Sequence, residues 1–223
     1  MYTAIIPAAG SGTRLGLGYN KLLYKIVGKT IIEYTVDVFL QNSKCQHIII
    51  TASDTDIQAL KNMFQHIALV SVVSGGVTRQ ESVANALQFT TTDCVLIHDG
   101  ARPLLTQALI DACYEQVEQG KIAIAGVPIK DTIKRQTNNM VVETVSRDEL
   151  IAVQTPQAFR AALLKNVHLQ AKSDNFTATD DAMLIEKYSE LPIVIVSGLD
   201  ENIKITTQAD LDYLKFKLEK GKS

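Results

Sequence analysis

Ala4-Ile5-Ile6-Pro7-Ala8-Ala9-Gly10-Ser11-Gly12-Thr13-Arg14-Leu15-Gly16, followed closely by Asn20-Lys21, is the stretch on which the reading of this chain turns. An apolar run at residues 4–6 ends in a glycine-rich turn, and two cations, Arg14 and Lys21, come after it. Gly10 and Gly12 lack Cβ, so backbone amides there can approach an anion closely. Arg14 offers a planar fork to phosphate oxygens and Lys21 a mobile point charge. The expectation is a strand feeding a loop that wraps phosphate; the alternative is an ordinary flexible loop between a strand and a helix. Two common phosphate motifs fit poorly. A P-loop places Ser or Thr after its lysine, where this chain has Leu22, and a dinucleotide fingerprint needs its third glycine one residue before Gly16. Nor does an acidic residue close the second expected strand, at Thr51-Ala52-Ser53, where a ribose would be held.

Outward from that stretch, strand and helix signals alternate. Strands are expected at residues 4–6, 47–51, 69–73, 94–98 and 121–127. Helices are expected at about 30–40, 54–64 (capped by Ser53 or Asp54), 79–89 and 107–119. Continuous apolar strands separated by helices imply a mostly parallel sheet covered on both faces, with its ligand crevice at the carboxyl ends of the strands. The glycine loop, Ser74-Gly75-Gly76 and His98-Asp99-Gly100-Ala101-Arg102 all fall at such ends, so three polar loops converge on one rim.

The alternation then breaks. Residues 131–135 and 141–145 read as extended and flank Gln136-Thr137-Asn138-Asn139, a turn that tolerates positive φ. This predicts a β-hairpin arm at about 131–146. It has too few apolar residues to stand alone in water, so it packs on its own sheet or on a second subunit. Beyond it the pattern predicts helices near 161–170, 181–188 and 208–219 (the last capped by Thr206 or Thr207) and strands at 192–196 and 202–205. The chain, residues 1–223, reads as one domain with an excursion.

Bulk properties narrow the function. With 223 residues, 46% hydrophobic and 21% charged, the chain has the balance of a soluble globular protein with a substantial core. A net charge of −2, with basic residues dispersed, argues against nucleic acid as partner. No apolar run reaches membrane-spanning length and the first residues carry no signal-peptide pattern, so a cytoplasmic location is expected. Cys45, Cys94 and Cys113 read as reduced thiols, with Cys94 in a core strand. The four histidines show no metal-ligand spacing.

Each rim segment carries chemistry. Gly75 and Gly76 leave room for a flat ligand whose edge their backbone can read, and Ser82 turns its hydroxyl back towards them from the first turns of a helix. Asp99 suits a hydrated Mg²⁺ or a ribose, unless Arg102 holds it in a structural ion pair. By strand alternation Lys204 points away from the face of Ile203 and Ile205, and on its own reads as a surface lysine, as does Arg147.

Taken in order, these segments make the chain resemble the nucleotidyltransferases that activate sugar and polyol phosphates. The resemblance is strongest to the family of 2-C-methyl-D-erythritol 4-phosphate cytidylyltransferases. It rests on residues 8–14, Asn20-Lys21, Gly75-Gly76 with Arg79 and Ser82-Val83, and His98-Asp99-Gly100-Ala101-Arg102-Pro103. It continues through residues 127–132, Thr155-Pro156-Gln157, Thr179-Asp180-Asp181 and residues 202–206, nearly end to end. Gly100 departs from the family, which often has Ala there. The resemblance implies an α/β fold, a Rossmann-like three-layer sandwich with a mostly parallel central sheet and a protruding hairpin arm. It implies CTP and a polyol phosphate as substrates, Mg²⁺ held mainly by the CTP phosphates, and a homodimer that exchanges its arms. Carried over residue by residue, Ala8, Ala9, Gly10, Gly12, Gly75, Gly76, Ser82, Asp99, Ala101 and Arg102 bind CTP, and Arg14 and Lys21 hold its triphosphate. Lys204 and Arg147 grip phosphate at the reacting centre, with Arg147 acting across the dimer, and Thr155 and Thr179 touch acceptor hydroxyls. The runner-up is a ribitol-5-phosphate cytidylyltransferase, which tends to differ at the positions of Ala9 and Ala101. A nucleotide-sensing protein without turnover is the reading from another class.

Overall fold

The computed structural model describes residues 1–10 and 18–220. A seven-stranded sheet forms the middle layer. Its strands are β1 (Tyr2–Pro7), β4 (Cys45–Ala52), β5 (Val70–Ser74), β6 (Cys94–Ile97), β7 (Ile122–Pro128), β10 (Ile151–Arg160) and β11 (Ile193–Ser197), in the order β11-β7-β10-β6-β1-β4-β5. All neighbours are parallel except β10, which runs antiparallel between β6 and β7. Two short strands, β2 (Lys25–Ile26) and β3 (Lys29–Thr30), form a small hairpin before the first helix.

Alternation along the strands explains the layers. Ala4, Ile6, Ile48, Ile50 and Leu96 face one side of the sheet, and Ile5, Ile49, Val95 and Ile97 the other. On the first side pack α1 (Ile31–Leu40), α2 (Ile57–Phe64), α4 (Gln107–Glu118) and α7 (Gln208–Lys220). On the second pack α3 (Arg79–Leu87), α5 (Ala161–Ser173) and α6 (Asp181–Tyr188). Each fully buried isoleucine adds about 1.5–3 kcal/mol of hydrophobic stabilisation, so a sheet apolar on both faces is held between two helical layers.

One element without a sequence expectation appears, and two expectations are corrected. The stretch before α5 contains a ten-residue central strand, β10, which its polar Gln154-Thr155-Pro156-Gln157 segment conceals; the pairing slips there, between Val153 and Gln157. Residues 202–205 are not a strand but an irregular segment. The second helix starts at Ile57, and neither Ser53 nor Asp54 caps it; Ser53 Oγ instead donates to Asp56. The arm is present as β8 (Ile133–Thr137) and β9 (Met140–Val145), a separate two-stranded sheet with Asn138 and Asn139 at positive φ in its turn. Its residues are largely exposed, so it does not fold over its own sheet.

Candidate active site

At the carboxyl end of β1, Ala8 N–H donates to Thr51 O at 2.8 Å and fixes the start of the glycine loop. Gly12 and Arg14 lie outside the described residues. Beyond the loop stands Asn20, part of the sequence motif but given no role by it, with its side chain buried. Its Nδ2 donates to Ala8 O and to Asp56 Oδ2, each at 2.9 Å, and its Oδ1 accepts from Leu22 N–H at 3.1 Å. Asn20 thus staples both ends of the loop together and presents Lys21, whose Nζ donates to Ile205 O at 2.6 Å.

The turn after β5 is built for close approach. A Cβ on Gly75 would stand 2.7 Å from Ala9 Cβ, and one on Gly76 2.2 Å from Glu81 Cβ. Side chains there would press the turn away from Ala9 on one side and from the first turn of α3 on the other. Gly76 N–H donates to Ser82 Oγ at 3.0 Å, and Ser82 Oγ–H donates to Thr78 O at 2.9 Å, so the serine hydroxyl does face back into the turn. A capping box between Thr78 and Glu81 starts α3, a device of about 1 kcal/mol.

The loop after β6 is held by a closed run of hydrogen bonds. Asp99 N–H donates to Thr155 Oγ1 at 3.0 Å, Thr155 Oγ1 lies 3.0 Å from His98 Nδ1, and His98 Nε2 lies 3.0 Å from Arg102 O. A carbonyl only accepts, so Nε2 carries the proton, Nδ1 accepts, and the threonine hydroxyl donates to it. Burial holds the His98 pKa down at about 4, so the ring is neutral at physiological pH. His98 and Thr155 therefore set the backbone that bears Asp99.

The irregular segment after β11 completes the floor. Ile205 N–H donates to Ala101 O at 2.8 Å, and Asn202 Nδ2 donates to Thr155 O at 2.9 Å. This course brings Lys204 Nζ to 2.8 Å from Asp99 Oδ2. Lys204, a surface lysine by alternation alone, is thus a cleft residue, because no strand exists there to alternate. The cleft holds about 330 Å³, and Ala9, Gly76, Lys21, Asp99 and Lys204 are among the residues lining it.

Other expected residues lie apart from it. The Arg102 guanidinium donates to Asn202 O at 2.7 Å and lies 3.5 Å from Asp99 Oδ2, behind the cleft, in the structural ion pair. Thr155 is buried and its hydroxyl is committed to the loop. Thr179 is exposed and contacts Met183. Arg147 sits in the turn after the arm, exposed, and donates to Lys130 O. Arg79, by contrast, lines the cleft, with its Nε 3.7 Å from Asp99 Oδ1. Its partners lie so far along the chain that no local spacing signals them.

Burial alone would raise the Asp99 pKa, but Lys204, Arg79 and Arg102 outweigh it and hold the carboxyl well below its usual range. Asp99 is the one carboxylate among the described residues lining the cleft, and its oxygens already face cations. No group of three or more His, Cys, Asp or Glu suited to a metal occurs among the described residues. Of the described cleft residues only Asp99 offers a carboxylate, so a divalent ion there would have to take most of its ligands from a bound polyphosphate.

Cations converging on a phosphate-sized cleft, beside a slot walled by backbone, can cancel polyphosphate charge while a second oxyanion attacks. That capacity, on the carboxyl rim of this α/β sheet, defines a nucleotidyltransferase. Comparison with known proteins makes the assignment particular: residues 2–220 match the family described as 2-C-methyl-D-erythritol 4-phosphate cytidylyltransferase, and the chain belongs to it. The Bacillus velezensis enzyme of that name is 40% identical over 226 residues, covering 99% of this chain and 97% of its own. The one from Bacillus cytotoxicus is 43% identical, with 95% of each chain covered. Among solved structures, the Francisella tularensis cytidylyltransferase superposes with a TM-score of 0.84 at 33% identity, over 97% of this chain and 99% of that one. The 4-diphosphocytidyl-2C-methyl-D-erythritol synthase of Anaerococcus prevotii gives 0.86 at 29% identity, over 98% of both.

Proposed function

We propose that this chain converts CTP and 2-C-methyl-D-erythritol 4-phosphate to 4-diphosphocytidyl-2-C-methyl-D-erythritol and pyrophosphate, in non-mevalonate isoprenoid precursor synthesis. An acceptor phosphate oxygen attacks the α-phosphorus of CTP in line, and pyrophosphate leaves with the electron pair of the broken P–O bond. The acceptor is already an ionised nucleophile, so the obstacle is electrostatic. Two unit charges 4 Å apart repel by roughly 1 kcal/mol in water and about 4 kcal/mol at an effective ε of 20. The observation that carries the reading is the Lys204–Asp99 pair, 2.8 Å apart on the floor of the cleft that Lys21 also lines.

Lys21, with Arg14, holds the triphosphate; Gly75, Gly76 and Ser82 frame the cytosine; Asp99 stands beside the ribose and α-phosphate; Lys204 holds phosphate in line. Mg²⁺ held by the CTP phosphates, with Asp99 the one carboxylate of the described lining near it, would supply further charge neutralisation there. Arg147 lies outside the lining of its own cleft, and Met140, Val141 and Val142 of the arm are exposed. Both facts support a homodimer in which the arm reaches the partner and Arg147 grips the acceptor phosphate in the partner's cleft. No helix among the described residues is long and apolar enough to cross a membrane, which is compatible with a cytoplasmic enzyme.

The test is pyrophosphate release with CTP and Mg²⁺, comparing methylerythritol 4-phosphate with ribitol 5-phosphate. Strong preference for the first is expected. Preference for the second would overturn the acceptor while leaving the nucleotide chemistry in place.

A further inference from the structure

Behind the base-framing turn runs a charged chain that the transfer chemistry does not itself require. Arg79 is the first residue of α3. Its Nη1 donates to Asp181 Oδ2 at 2.6 Å, while its Nε faces Asp99 Oδ1 across 3.7 Å. Asp181 is the first residue of α6 and is buried, and its second oxygen lies 3.2 Å from Nε2 of the buried His168 on α5. Three helices thus meet on one carboxylate, and its guanidinium partner reaches forward into the cleft. Burial by itself would raise the Asp181 pKa, but Arg79 and the His168 hydrogen bond hold it below the usual range, so the anchor is ionised.

A buried ion pair stabilises a fold no better, as a rule, than an apolar pair of the same volume. Its particular consequence here is direction. Asp181 fixes one arm of the Arg79 fork, and this leaves Nε 3.7 Å from Asp99 Oδ1, within ion-pair range. Lys204 takes the other oxygen, Asp99 Oδ2, at 2.8 Å. Arg79 and Lys204 therefore straddle one carboxylate, which Arg102 backs at 3.5 Å from Oδ2, and the orientation of that carboxylate sets where the lysine ammonium rests.

We propose that Arg79 is a positioning residue of the cytidylyl transfer: anchored from behind by Asp181 and His168, it orients the Asp99 carboxylate and through it the Lys204 ammonium, tying the base-framing turn to the reacting centre. The inference rests on the reading of Asp99 and Lys204 as that centre.

Four proteins test it: the wild type, Arg79→Gln, Asp181→Asn and the double variant, each measured for Tm and for kcat and KM towards both substrates. Asp181→Asn keeps Arg79 but unties it, and kcat is expected to fall about tenfold, since a displacement of about 1 Å can cost ~10²-fold. The acceptor KM stays within about threefold, because the direct phosphate contacts remain. Arg79→Gln lowers kcat at least as far and also lowers Tm, because it strands a buried carboxylate. The double variant removes both charges; it recovers Tm yet keeps the kcat of Arg79→Gln, since Asp181 acts through Arg79. Arg79→Lys, which keeps the charge and loses the fork, restores kcat only in part.

Recovery of kcat together with Tm in the double variant would make the pair merely structural and overturn the proposal. So would an unchanged kcat in Arg79→Gln. Asp99→Asn and Lys204→Met, assayed alongside, separate the two levels. If they retain kcat, the reading of the reacting centre fails; if they lose it while Arg79→Gln does not, only the positioning role fails.

Discussion

Single side chains in this cleft work by charge placement. Lys204 touches the one carboxylate of the described cleft lining at 2.8 Å, and Lys21 reaches the carbonyl of Ile205, the next residue along, at 2.6 Å. Two flexible ammonium groups are thereby brought to neighbouring points on the same segment. Removing a preorganised donor to transition-state charge typically costs ~10²–10³ in rate, and Lys21→Ala and Lys204→Ala are each expected to lose at least ~10² in kcat. Steady-state pyrophosphate release measures this, and near-wild-type turnover in either variant would take that lysine out of the reacting centre. Lys21 was legible in the sequence because it follows a glycine loop. Lys204 was legible only through family resemblance: its orientation depends on a backbone without strand geometry, and its partner Asp99 lies more than a hundred residues earlier.

Elements differ in how they hold these groups. The segment at 198–205 has no ladder, so buried amides replace one. Gln154 Nε2 donates to Leu199 O at 2.9 Å, and Asn202 Nδ2 donates to Thr155 O at 2.9 Å and lies 3.3 Å from Gln154 Oε1. Asn202→Ala takes the side-chain donor from the buried Thr155 carbonyl, at a cost of about 1–3 kcal/mol, and lets Lys204 drift. Urea unfolding should show the stability loss and kinetics a kcat about tenfold lower, within the ~10²-fold scale of small misplacements. Lost stability with full turnover would mean that the segment is aimed by other contacts. The same burial explains why β10 went unread: Gln154 spends its amide on this segment and Thr155 its hydroxyl on the loop after β6, so a central strand looks like a loop. The arm was legible because two extended runs flank a turn rich in asparagine, and its exposed Met140, Val141 and Val142 bear on assembly. If arms are exchanged, mixing Lys21→Ala with Arg147→Ala subunits puts one intact site in each hybrid. Random pairing then returns about a quarter of wild-type activity, because half the dimers are hybrids with one of two sites restored. If each Arg147 serves its own subunit, the mixture stays dead.

At the scale of the whole molecule, the three-layer order was legible because apolar strands such as His47-Ile48-Ile49-Ile50-Thr51 announce burial on both faces. The antiparallel insertion of β10 was not, because strand direction depends on where the chain returns after the arm. The core that this arrangement encloses also makes stability depend on pH, through imidazoles whose burial no motif announces. His98 lies buried within it, neutral, with its pKa lowered by burial to about 4, against about 6.5 for a free imidazole. Below pH ~6.5 the unfolded chain takes up a proton that the folded one refuses, so this contribution is full above ~6.5 and is lost as pH falls towards 4. The linkage amounts to about 2 kcal/mol at pH 5. His47, whose pKa burial also lowers, adds in the same direction. Asp99 and Asp181 are held below the usual carboxylate range and add their own losses only below pH ~4, where the unfolded chain begins to protonate. Between pH 7.5 and 5 the fall in stability should therefore be mainly an imidazole effect. Urea unfolding at the two pH values should show a drop of about 2 kcal/mol in the wild type. In His98→Gln, less stable at pH 7.5 because the loop staple is weakened, the drop should be much smaller. An equal drop in both proteins would place the titrating group elsewhere and remove His98 as the origin of the acid sensitivity.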